Sequence, residues 1–292
     1  MRVKNKLLLI MLIVTLSFIA VSCINVVSAT TEINENYTLN ADSTEAIVVK
    51  SGSNVTIDLN GYNLTVDGDA ITVESGATAT IRGSGSKVNS TQGAVVNLGG
   101  TVTIVSGTYN SSEWYTIKNL ANMTIKGGVF TQDTNNTGNS SLIANGWYNG
   151  KTSSENDRNV PVPTGNSPVA ILTIDGGTFT QYTTTSTIKS DDWSKTIINS
   201  GEFTSVKGTL IQVTGDVAIS GGKYKGYRDI SLFNGDGTEG YEATKLNVSG
   251  GDFDAEYITR TYTTGTLPIT GGTFKNLTEV QNPMDKKDYS KN

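Results

Sequence analysis

One unit repeated along most of the chain restricts its fold more than any other feature: an apolar residue, any residue, Ile or Val, any residue, a glycine pair or its remnant, any residue, then Phe or Tyr. It reads MTIKGGVF, LTIDGGTF, VAISGGKY, LNVSGGDF and LPITGGTF, with looser copies VTIDLNGY, VTIVSGTY and TIINSGEF. The β-branched anchors are Ile57, Ile81, Ile104, Ile125, Ile174, Ile198, Ile219, Val248 and Ile269. Five residues after each, except after Ile81, comes an aromatic: Tyr62, Tyr109, Phe130, Phe179, Phe203, Tyr224, Phe253 and Phe274. Most anchors recur every 21 to 24 residues, with 29 between Ile219 and Val248 and 49 between Ile125 and Ile174. Self-similarity at this period marks an architecture of stacked units, none of which can bury its apolar face alone.

A weaker run follows most anchors at Ile71, Val95, Ile117, Ile188, Ile211, Ile230 and Ile258, so each unit carries at least two short strands. Residues two apart in a strand share a face, which points Leu172 and Ile174 one way and Thr173 the other. The glycine pair supplies the positive φ of a sharp corner, and the aromatic opens the next wall. Stacked roughly 4.8 Å apart, equivalent residues would form an Ile row, a Leu or Val row and an aromatic row inside the coil. The expectation is an all-β, right-handed, single-stranded parallel β-helix of about 9–11 coils. Strict hexapeptide steps and a Leu/Asn frame are both missing, which sets aside a left-handed β-helix and a leucine-rich repeat.

Over Ile33 to Leu277 these GGTF-type units resemble right-handed parallel β-helix proteins of the pectate-lyase-like superfamily, and more closely the adhesin-like surface proteins of microbes. The resemblance implies a fold more than an activity, because lyases, hydrolases, phage tailspikes and adhesins share it. A pectate lyase would imply acidic calcium ligands and a basic proton abstractor on one outer face. The arginines beyond the first segment, Arg82, Arg158, Arg228 and Arg260, sit in no such motif, and the GHG motif of polygalacturonases is missing.

Composition narrows the chemistry. The chain has no histidine, which removes the commonest general base and metal ligand. Its single cysteine, Cys23, lies in an N-terminal segment where Arg2, Lys4 and Lys6 precede an apolar run from Leu7 to Val21, the layout of a secretory signal. Cleavage after Val27-Ser28-Ala29 makes 1–29 the signal peptide. A cut before Cys23, giving a lipoprotein, is the alternative, although Ala20 suits it poorly. Cleavage at the first place leaves neither a disulfide framework nor a thiolate metal site. The net charge of −5 and a sequence pI near 4.9 argue against nucleic acid as a partner. No later apolar run is long enough to span a bilayer. The β-helix is expected over 30–280, with a polar tail at 281–292.

The long interval holds an ordinary coil plus an insertion of roughly 25 residues at about 144–168. Its Trp147 and Tyr148 stand between Asn145-Gly146 and Asn149-Gly150, where exposed aromatics would stack on a sugar or a partner; the alternative is that the tryptophan packs back on the solenoid. Asp191, Asp192 and Trp193 follow the Ile188 strand, and paired acids beside an aromatic could serve glycoside hydrolysis or bind calcium, the one cofactor considered. A solvated turn explains them as well. These five are the candidate ligand-binding residues; no catalytic set and no metal set is assigned. A second insertion, Phe233 to Glu242, misses calcium-loop spacing.

An outward row of Thr56, Thr80, Thr103, Thr124 and Thr173 breaks at Ile197, Ala218, Asn247 and Pro268, which argues against an ice-binding array. About ten N-x-Ser/Thr sequons, among them Asn36, Asn54, Asn63, Asn122, Asn247 and Asn276, offer glycan acceptors. Ile33, Tyr37 and Leu39 could cap the first coil, whereas the charged tail is a weak cap for the last, so the expectation is either that the last coil stacks on a partner, end-to-end self-association included, or that the chain is a short form of a longer repeat protein. The resulting expectation is a secreted or cell-surface, adhesin-like, non-enzymatic protein that binds an extracellular glycan or a surface protein. The alternative is a carbohydrate-active enzyme or carbohydrate-binding module of pectate-lyase-like type.

Overall fold

A computed structural model describes residues 29–134, 140–148, 155–165, 167–232, 245–255, 257–260, 269–275, 279–282 and 287–289. The N-terminal segment with Cys23, the Phe233–Glu242 insertion and Asn276 lie outside the described residues. Within them the chain winds as a right-handed parallel β-solenoid, of the kind found in the pectate-lyase-like superfamily. Each full coil contributes three strands, one more than the minimum read from the sequence.

The first wall is a sheet of nine parallel strands among the described residues, from Tyr37–Thr38 through Asn54–Asp58 and Thr78–Arg82 to Lys245–Val248. Its register places the anchors over one another from Ile57 to Val248, and Ile269 bridges to Val248 one step further. Ile125 pairs directly with Ile174, so the long interval adds one rung and the surplus is extruded sideways. Anchors such as Ile57, Ile125 and Ile198 are wholly buried. Burial of each such side chain contributes about 1.5–3 kcal/mol.

The second wall carries the aromatic row. Tyr109, Phe130, Phe179, Phe203, Tyr224, Phe253 and Phe274 stack with ring centroids 4.4–5.1 Å apart and planes within 10°. The rung spacing is close to the offset-stacking distance of an aromatic pair, so the backbone and the rings repeat together. Tyr62, read from the sequence as the first member, instead sits in a corner, 36% exposed. The row begins with Leu64 and Val88, because the first two corners are two residues longer. Glycine pairs shape the later corners for two reasons. A Cβ on Gly127 would lie 2.9 Å from the Val105 carbonyl oxygen of the preceding coil, and Gly128 has φ +115°.

The third wall stacks Ala46–Val49, Asp69–Val73, Gly93–Asn97, Ile117–Asn119, Ile143–Asn145 and Ile188–Ser190. Its inner rows change from Val49 and Val73 to Asn97, Asn119 and Asn145. Asn97 Nδ2 donates to Asn119 Oδ1 at 2.9 Å, and Asn119 Nδ2 to Asn145 Oδ1 at 2.8 Å. Asn145 Nδ2 continues to Thr196 Oγ1 at 3.0 Å. The same amides bond the turning backbone at Gly100 and Ala121, so no rung of this ladder buries an unpaired amide.

Ile33 and Leu39 are buried at the N-terminal end, with Tyr37 packed against the core. At the other end the described residues of the polar tail include strands. Glu279–Asn282 adds a parallel rung to the third wall, and Lys287–Tyr289 folds back antiparallel upon it. This strand covers the edge that an open last rung would expose.

Phe179→Ala, at the middle of the ring stack, should cost about 3–5 kcal/mol and lower the denaturation midpoint sharply. Tyr62→Ala should leave it within about 0.5 kcal/mol of the parent, as for an exposed surface change. Urea unfolding followed by circular dichroism checks both.

Candidate functional site

The insertion leaves the third wall at Gly146 (φ +98°) and returns to the first wall at Ala170. Between them its described residues lie against the outside of the third wall, where the outward row runs Val96, Lys118, Ala144 and Lys189. Gly93–Asn97, Ile117–Asn119 and Ile143–Asn145 are consequently buried on both faces, unlike the half-exposed strands of the first wall.

All five sequence candidates meet here; Trp147, Asp191, Asp192 and Trp193 are buried, and Tyr148 is half-buried. Trp147 bridges antiparallel to Asp192, its N–H donating to the Asp192 carbonyl at 3.1 Å. Trp147 and Trp193 are 2% and 3% exposed and share an apolar cluster with Leu120 and Ala170. Their indole N–H groups donate to the Val160 carbonyl at 3.2 Å and to the Gly165 carbonyl at 2.6 Å. Of the two readings open for Trp147, the ring packs back on the solenoid and, with Trp193, pins the returning loop, because a large ring with one satisfied donor is most stable beneath a covering segment. Asp191 and Asp192, expected on a solvated turn, are each 2% exposed.

A charged core that the sequence reading missed lies beside them. Lys118 and Asp157 form an ion pair at 2.8 Å, with both side chains fully buried. Lys118 Nζ also donates to the Gly146 carbonyl at 2.8 Å and stands 5.3 Å from the Tyr115 ring centroid. Asp157 ends the short 3-10 turn Glu155–Asp157 and accepts the Tyr148 N–H on Oδ1 at 3.0 Å. Arg158 and Asn159 follow with φ of +54° and +58°. That reversal sends the Arg158 guanidinium to Asp69, which it holds through Nε at 2.8 Å and Nη2 at 2.7 Å. Lys189 pairs with Asp191 at 2.9 Å and lies 4.1 Å from the Tyr148 ring centroid. The visible signal was a lysine between buried residues in two strand segments, IKN and IKS.

Burial dominates the electrostatics. It pushes the Lys118 ammonium down against the attraction of Asp157 and Asp191, and it pushes the Asp191 carboxyl up against the attraction of Lys189 and Lys118. Asp191 Oδ2 is buried without a hydrogen-bond partner. Among the described residues no three His, Cys, Asp or Glu side chains are grouped to hold a metal ion, and Asp191 faces a lysine.

The open surface lies elsewhere. A groove of about 620 Å³ follows the corner between the first and second walls, floored by Gly127, Gly128, Gly176, Gly177, Gly201 and Gly222. It meets a depression of about 430 Å³ on the second wall, sharing Glu202, Lys223 and Asp252 with it. Register lines up Thr178, Glu202, Lys223, Asp252 and Thr273 in one row, and Thr180, Thr204, Lys225 and Asp254 in the next. Lys223 and Glu202 pair at 3.2 Å but remain 71% and 60% exposed. No protein-family model, no curated protein and no solved structure matches the chain.

Two outcomes follow for the covered site. Trp147→Ala should cost about 3–5 kcal/mol and open 146–169 to limited proteolysis, since the ring is a buried anchor. Asp191, raised by burial, keeps its proton to higher pH when folded than when unfolded. Its contribution to stability is fullest below the unfolded value, about 3.9, and falls as pH rises through the folded value. Asp191→Asn should therefore gain stability relative to the parent as pH rises above about 4, measured by denaturation across a pH series.

Proposed function

We propose that this chain is a secreted or cell-surface, adhesin-like protein that holds an extended glycan along its glycine-floored groove without cleaving it. The observation that carries this reading is the groove itself. It runs across successive rungs from Gly127 to Asp252, and repeats lysine, carboxylate and threonine side chains beside exposed backbone. Such a linear, periodic surface suits a linear, periodic ligand, with lysines positioned for charge-assisted bonds to acidic sugars. Export is supported by the charged start and the apolar run from Leu7 to Val21.

A carbohydrate-active enzyme is the second reading, favoured by Glu202, Asp252 and Asp254 sharing a face with Lys223, Lys225 and Lys275. Against it, these charges stand largely in solvent, where nothing excludes water from a reacting bond or sets two carboxylates into separate acid and base roles. The buried acids at 157 and 191 do not open to the groove, so Trp147 and its neighbours serve the reading as architecture rather than as contacts.

The test is a glycan array combined with a polysaccharide depolymerisation screen, with and without calcium, on the protein and on the double variant Lys223→Ser, Lys225→Ser. Binding to acidic glycans without new chain ends, weakened roughly tenfold or more in the variant, is the expected result; two charge-assisted bonds at about 1.5–3 kcal/mol each leave room for that loss. Depolymerisation would overturn it in favour of the enzyme. Absence of both binding and cleavage would remove the glycan and leave a rod that binds proteins.

A further inference from the structure

The pair under the insertion is arranged for more than an ion pair. Lys118 Nζ lies 2.8 Å from Asp157 Oδ1, and neither side chain has any exposed surface. The amine is held from two sides, by Asp157 and by the Gly146 carbonyl at 2.8 Å, and the Tyr115 ring lies on a third. The Tyr148 N–H donates to the same Oδ1 at 3.0 Å, where it polarises the carboxyl carbon–oxygen bond and would stabilise negative charge developing on that oxygen. Two reacting groups are thus fixed in contact in a dry site, the condition under which positioning alone lowers the barrier.

We propose that Lys118 and Asp157 condense into an intramolecular isopeptide bond that fastens the insertion to the third wall, with Asp191 as the neighbouring acid. Nζ of the neutral amine attacks Cγ of Asp157, forming the N–C bond. Oδ1 stays as the amide oxygen, carried by the Tyr148 N–H. The other Cγ–O bond breaks, and that oxygen leaves as water with one proton from the amine and one from the carboxylic acid. The charged pair and the neutral pair differ only in where one proton sits, so both give the same amide and one water, with no change of oxidation state.

Burial favours the neutral amine by pushing the Lys118 ammonium down, and it keeps the Asp191 carboxyl protonated to higher pH. Asp191 interacts electrostatically with both Lys118 and Asp157, and its Oδ2 has no hydrogen-bond partner. Asp191 makes no hydrogen bond to either reacting group in the resting arrangement, so it would have to leave Lys189 and swing toward the pair to hand its proton to the leaving oxygen and recover one from the amine, ending unchanged. The bond would also end the cost of keeping a full charge pair out of water. It closes a loop between residues 39 apart in a chain whose single cysteine, Cys23, stands far from the insertion in sequence. The inference does not depend on what the groove binds.

Denaturing mass spectrometry of the folded, purified chain tests it. The expected mass is lower than the sequence mass by one water, and digestion should yield one branched peptide joining the segments of Lys118 and Asp157. Lys118→Arg should return the sequence mass. Asp157→Asn should lose ammonia in place of water. Asp191→Asn, folded by circular dichroism, should show the linear mass or a condensation slowed severalfold. A folded parent chain at the full sequence mass overturns the proposal, whatever the variants do. A water lost without a branched peptide also overturns it, since a backbone succinimide would give that mass. Condensation at the parent rate in Asp191→Asn would overturn the role of Asp191 alone.

Discussion

In-register parallel stacking is the interaction on which everything else in this protein depends. Each rung hydrogen-bonds to the rungs on either side along three walls, and the spacing between strands brings equivalent side chains into contact. Like therefore packs on like: isoleucine on isoleucine, ring on ring, amide on amide. The stack from Tyr109 to Phe274 and the ladder from Asn97 to Asn145 are the same principle in apolar and polar form. The asparagine row shows how a polar residue enters the interior at small cost. Each amide satisfies its neighbour above and the turning backbone beside it, so the row persists where an isolated asparagine would leave a buried group unpaired.

The same regularity explains where irregularity can go. An insertion cannot interrupt a wall without breaking the ladder on both sides, so it must leave at a corner and lie on an outer face. Here it lands on the third wall and turns an outward row into a second interior. Lysines that would be solvated on a bare solenoid become buried, and the insertion brings acids to meet them: Asp157 to Lys118, while Asp191 from the next coil meets Lys189. Arg158 extends the attachment to Asp69, 89 residues away in sequence. Removing one partner of such a pair leaves an uncompensated charge in a dry place, which makes these contacts a stringent lock on the loop's position.

The two surfaces consequently have different physical characters. Beneath the insertion, the charges are paired and largely shut off from water. Along the glycine-floored corner, charges of both signs stand on successive rungs in contact with water.

The repeat was fully readable in the sequence because the architecture converts a one-dimensional period into neighbours in space. The anchor spacing determined the Ile register, the glycine pairs determined the corners, and the 49-residue interval marked the insertion. Tyr62 misled, since a local count of five residues does not see that the first corners are longer than the later ones. The five candidates around Trp147 and Asp191 did converge, yet their exposure was invisible, because a loop's sequence does not state which face it will cover. Lys118 with Asp157, and Asp69 with Arg158, carry no period linking them. Their pairing was decided only when the folded insertion came down on the outer wall, where burial made each charge require the other.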